Sequence, residues 1–105
     1  MNTHKQKRMY VLVRKDLDET YRCVQGGHAL AQYSIRGDKE LYSEWDNHTL
    51  IYLAVPNEYV LKRWAIKLDR KEKSWIGFKE PDLHDQLTAI SCIDTGEIFK
   101  RLPLA

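Results

Sequence analysis

Apolar positions along the chain come in two kinds, short unbroken blocks and longer periodic stretches. Residues 9–13 (Met-Tyr-Val-Leu-Val) are apolar without interruption. A run this short, with no polar alternation, predicts a strand covered on both faces. Residues 14–20 are polar, and Thr20 is placed to cap the next helix, with Asp18 and Glu19 at its positive end. The spacing predicts that helix over 21–35, with Val24, Gly27, His28, Ala31 and Ile35 as its packed stripe. Gly26 and Gly27 each cost a helix about 1 kcal/mol relative to Ala. The pair therefore points to a backbone held close against the sheet or another helix. Gly37 is a stop signal, and 38–45 predicts a short second helix.

The second half repeats the alternation. Residues 49–55 predict another covered strand, closed by Pro56, with Asn57 as the next cap. Over 59–70, Val60, Leu61, Trp64, Ala65 and Leu68 share one face, while Lys62, Arg63, Lys67 and Arg70 lie elsewhere. A third strand is expected over 74–78 and a polar loop over 81–85. A fourth strand is expected over 87–93, with Leu87, Ala89, Ser91 and Ile93 alternating against Thr88, Ile90 and Cys92. Beyond Gly96, Ile98, Phe99 and Leu102 fall at helical spacing before Pro103.

The expected order is β-α-α-β-α-β-β. This implies an α/β domain over 9–105 behind a basic tail at 1–8, built on a four-stranded mixed sheet with helices on both faces. The early connections suit right-handed parallel crossovers, and the last two strands suit a hairpin.

Composition narrows the class. A chain of 105 residues with 43% hydrophobic content fits one folded domain and excludes a disordered chain. The net charge of +2, from 17 basic and 15 acidic residues, does not announce a histone-like nucleic-acid binder. Cys23 and Cys92 each sit in apolar surroundings, which predicts two buried, reduced thiols in a cytoplasmic protein. There is no Cys/His spacing for zinc, no stretch of signal-peptide length, and no apolar run long enough for a bilayer. A soluble cytoplasmic protein without metal, cofactor or membrane partner is expected.

The first strand and helix carry a recognisable pattern. Arg14, Asp16 and Leu17 follow the strand, and Gln25, His28 and Ala29 lie in a helix of small residues. Together with Thr88-Ala89-Ile90 on the last strand, this resembles the type 2 peptidyl-tRNA hydrolase family. The family carries a lysine in the loop before the helix and an Asp-Ala-Gly before the last strand. Here those places read Asp18-Glu19-Thr20-Tyr21 and residues 78–86, Phe-Lys-Glu-Pro-Asp-Leu-His-Asp-Gln. The resemblance implies the family fold, a homodimer, and hydrolysis of the ester joining a peptidyl or acyl group to tRNA.

On that fold Arg14, Lys15, Arg22, Gln25, Glu80, Asp82, His84 and Thr88 are expected to converge at the carboxyl ends of the strands. Ester hydrolysis needs a base for water and a donor for the oxyanion. Asp82 or Glu80 suits the base, and Gln25, Thr88 and His28 suit orienting roles. Arg14, Lys15 and Arg22 suit the RNA and the developing charge. Each also has a plainer use: Arg14 and Lys15 as a solvated strand end, His28 as a packed histidine, Glu80-Pro81-Asp82 as turn chemistry. The missing lysine and Asp-Ala-Gly motivate two alternatives, a non-catalytic tRNA- or nucleotide-binding module and a hydrolase of another small substrate.

Overall fold

The computed structural model describes residues 6–105; His4 and Lys5 of the expected basic tail lie outside them. Strand β1 (Arg8–Arg14) is central, and its burial explains its unbroken apolar sequence. Tyr10 and Leu12 point to one side of the sheet, Met9, Val11 and Val13 to the other, and both sides are packed. Arg8, expected in the tail, is instead the first residue of β1, with its guanidinium 3.3 Å from the Tyr10 hydroxyl.

The remaining elements are α1 (Glu19–Arg36), α2 (Lys39–Trp45), β2 (Leu50–Val55), α3 (Glu58–Arg70), β3 (Ser74–Glu80) and β4 (Gln86–Asp94). The sheet order is β2-β1-β4-β3. β2 runs parallel to β1, and β4 runs antiparallel to both of its neighbours. Helices α1 and α2 cover one face, where Ala29, Tyr33 and Trp45 meet Val11, Val13, Ala89 and Ile93. Helix α3 covers the other, where Leu61 and Leu68 meet Leu12, Val55, Ile90 and Phe99. No helix among the described residues is long and apolar enough to cross a membrane.

Helix α1 departs from its expected placement in two ways. Its cap is Asp18, whose carboxylate accepts from the Tyr21 amide at 2.8 Å, and Thr20 lies inside the first turn. A carboxylate at that position also meets the positive end of the helix. Its packed face is Gln25, Gly26, Ala29 and Tyr33, while Val24 and Ile35 are 46% and 65% exposed. The apolar stripe therefore looks outward. The sheet beneath offers Ser91, whose hydroxyl donates to the Ala29 carbonyl at 2.8 Å, and further polar partners for Gln25. Small and polar residues fit that surface better than Val24 or Ile35. The close approach implied by the glycine pair belongs to Gly26 alone. A Cβ there would fall 2.3 Å from Cε2 of Tyr52, whereas one on Gly27 would meet nothing within 4 Å.

Strand β4 also breaks its expected alternation. Phe78 pairs with Ala89 but Lys79 pairs with Leu87, so Thr88 is an extra, bulged residue. Such a bulge re-aims a side chain. Thr88 leaves the α3 side, where simple alternation with Ala89 would put it, and reaches Gln25 of α1. The segment after β4 forms a single 3-10 turn, Glu97–Phe99, rather than a longer helix. The chain then lies along β2: the Ala54 amide donates to the Pro103 carbonyl at 2.9 Å, and the Ala105 amide to the Tyr52 carbonyl at 3.0 Å. Of the two cysteines only Cys92 is buried, its thiol pushed up to about 12 chiefly by burial; Cys23 is exposed.

Candidate functional site: a buried Thr-Gln-Glu relay

The hairpin between β3 and β4 turns through a 3-10 segment, Pro81–Leu83, and two left-handed residues, His84 and Asp85. Glu80, at the end of β3, anchors this turn. One carboxylate oxygen accepts from the Asp82 amide at 3.2 Å. The other accepts from Nε2 of Gln25 at 2.8 Å. The Gln25 carbonyl in turn accepts from the Thr88 hydroxyl. Gln25 and Thr88 are wholly inaccessible, and Glu80 is 8% exposed. The bonds fix the amide orientation of Gln25, since its oxygen must face the hydroxyl and its nitrogen the carboxylate.

At the outer end Tyr21, one turn before Gln25 on α1, lies within electrostatic reach of Glu80. The Gln25 amide, the Asp82 amide and the charge of His28 hold the Glu80 carboxyl below the usual glutamate value, against the opposing pull of desolvation. Desolvation pushes the Tyr21 phenol up, and the negative charges of Glu80 and Asp82 add to that. His28 is exposed rather than packed in the core, and its ring stacks on Phe78 at 4.5 Å between centroids.

Thr88→Val tests the inner end. Valine keeps the shape but leaves the Gln25 carbonyl buried without its donor, a loss of about 1–3 kcal/mol. The urea midpoint is expected to fall with an unchanged slope. An unshifted midpoint would mean that the hydroxyl contributes nothing.

Arg14 is not the solvated strand end that its position suggested. It is 6% exposed. Its fork binds both oxygens of Asp16, at 3.0 and 2.8 Å, and Nη1 donates to the Gln86 side chain at 2.8 Å and the Leu87 carbonyl at 3.2 Å. Hydrogen bonding to Asp16 raises the Arg14 value and lowers that of Asp16. This guanidinium is committed to holding the β1 and β4 ends together. Arg22 is half-buried, its Nε donating to the Leu17 carbonyl at 2.8 Å, and Lys15 is exposed. Asp82 and His84 are exposed on the turn.

The structure therefore joins Gln25, Glu80 and Thr88 directly, and places Arg14 in a separate cluster. Tyr21 and Gln86 belong to these clusters and were not singled out from sequence. Tyr21 had a signal, because it lies four residues before Gln25 and so on the same helix face. Among the described residues no group of three His, Cys, Asp or Glu side chains is placed to hold a metal ion. No family model and no curated protein matches the chain.

Proposed function

We propose that the protein hydrolyses the ester bond between a peptidyl or acyl group and tRNA, with Glu80 as general base. The observation that carries this reading is the Thr88-Gln25-Glu80 relay, which ends in a carboxylate held ionised at the rim of the sheet. A carboxylate offers about four acceptor positions. The donors from Gln25 and Asp82 leave room for a water. In this reading the water attacks the ester carbonyl and passes its proton to Glu80. The tetrahedral intermediate then expels the ribose oxygen, which takes that proton back. Lys15 lies on the loop after β1 and Arg22 in the first turn of α1, and in this reading they supply positive charge to the tRNA end and the oxyanion.

The test is release of the blocked amino acid from an N-acylated aminoacyl-tRNA by purified protein. Because the Glu80 carboxyl lies below its ordinary value of 4.5, the base stays ionised through the mildly acidic range. The acid limb of kcat/KM is therefore expected below pH 4.5. An acid limb near neutrality would point to another base, and no release with enzyme in excess would overturn the proposal. The loop 18–21, with Asp and Glu where the resembling family carries lysine, favours the second reading, a tRNA-binding module. Tight binding without cleavage would establish it.

A further inference from the structure

Two open depressions meet on the outer side of α3. One, of about 670 Å³, runs past Arg63, Trp64, Lys67, Arg70 and Lys71. The other, of about 510 Å³, lies between Trp64, Lys67 and Lys71 and a segment carrying Glu97, Lys100 and Arg101. Sharing Trp64, Lys67 and Lys71, they form one continuous groove. Among the described residues none of Arg63, Lys67, Arg70, Lys71 and Arg101 forms an ion pair with a carboxylate. The Lys67 ammonium instead sits over the Trp64 ring, 4.8 Å from its centroid. Arg63 and Lys67 within α3, and Lys71 at its C-cap, repeat at a spacing of four, where like charges inside a helix weaken it by about 0.2–0.5 kcal/mol per pair. The C-terminal end of α3 tolerates Lys67 and Arg70 in its last turn, and with a net charge of only +2 the concentration is local.

We propose that this groove binds the phosphodiester backbone of RNA. Along α3 the cations recur about every 6 Å, in a line suited to a strand of regularly spaced phosphates. The arginine forks match phosphate oxygens in pairs, and the Trp64 indole, packed on Phe99, holds the Lys67 ammonium at the groove. The choice of RNA rests on the function proposed above, while the groove rests on its own geometry. Helix α3 packs on the sheet face opposite α1 and Gln25. The groove therefore grips the body of the nucleic acid at a surface separate from the Glu80 relay.

The experiment measures binding of deacylated tRNA by fluorescence anisotropy over a range of salt. The wild type is compared with a K67E/K71E/R101E variant and with its neutral counterpart K67Q/K71Q/R101Q. All three positions are exposed, so the thermal melts should match. The charge-reversed variant is expected to bind at least about tenfold more weakly, with the neutral one between. Its dependence of log Kd on log salt should be shallower by about two to three, near 0.7–0.9 per lost phosphate contact. With peptidyl-tRNA, KM should rise while kcat holds. Equal binding by all three proteins would overturn the groove and leave the hydrolase reading standing. No tRNA binding by the wild type at low salt would overturn it as well. Variant-sensitive binding to phosphatidylserine vesicles, without tRNA binding, would replace RNA by a membrane surface. Normal tRNA binding without ester cleavage would remove the hydrolase reading and leave the groove.

Discussion

Replacing Glu80 by Gln is expected to lower kcat/KM for peptidyl-tRNA by about 10²–10⁴, the usual contribution of a positioned base. The side chain keeps its size, so the β3-β4 turn has no steric reason to move. The amide oxygen can still accept from Gln25. The amide nitrogen then confronts the Asp82 amide, donor against donor, in place of the 3.2 Å bond that the carboxylate accepts. What is lost above all is the site that takes a proton from water. Asp82→Asn is the comparison, because Asp82 was an equal candidate for the base by sequence and stands exposed two residues away. Its effect is expected to stay within about tenfold, given that each base assignment is worth far more. Full activity in E80Q with loss in D82N would transfer the role to Asp82. Full activity in both would remove the relay from the chemistry.

The adjacent glycines of α1 are expected to respond to alanine with opposite signs. At Gly27 the added methyl meets nothing within 4 Å. The substitution collects the helix-propensity difference and stabilises by about 0.8–1 kcal/mol. At Gly26 the methyl falls 2.3 Å from Cε2 of Tyr52 and 2.8 Å from its hydroxyl oxygen. Tyr52 belongs to β2 and packs against the α1-side core, so α1 or the ring must shift. Overpacking of this kind costs about 1–3 kcal/mol. Thermal melts of the two variants should diverge by some 10 °C, since each kcal/mol moves a domain of this size by about 4–8 °C. Equal melting temperatures would show that the Tyr52 ring yields freely.

Much of this architecture was legible in the chain. Blocks such as Met9–Val13 and Leu50–Val55 have one good use in a small α/β domain, as strands, although only the first is covered throughout and β2, at the sheet edge, leaves Leu50 exposed. The amphipathic α3 declared its face through Leu61 and Leu68. Helix α1 did not, because its inward face is made of Gln25, Gly26, Ala29 and Tyr33. Periodicity ranks residues by hydrophobicity, and a helix seated on a partly polar sheet face inverts the ranking. The same blindness hid Thr88. Strict alternation assigns it to the far face, and only the pairing with β3 reveals the extra residue. Glu80, Gln25 and Thr88 were each named as candidates by type and position. Their order along one hydrogen-bonded path depends on that bulge. Arg14 misled for the opposite reason: a charged residue ending a strand normally signals solvent, but Asp16, Gln86 and the Leu87 carbonyl satisfy it in place.

The last residues of the chain have a consequence for assembly. By pairing with Tyr52 and Ala54, they occupy hydrogen-bonding positions that β2 would otherwise present to another molecule. The opposite border of the sheet, β3, has its partner on one side only. Sheet growth between molecules needs a free border at each end of every unit. With Tyr52 and Ala54 engaged, a strand from a second molecule could take those positions on β2 only by displacing residues 103–105, whereas the outer side of β3 has no strand beside it among the described residues.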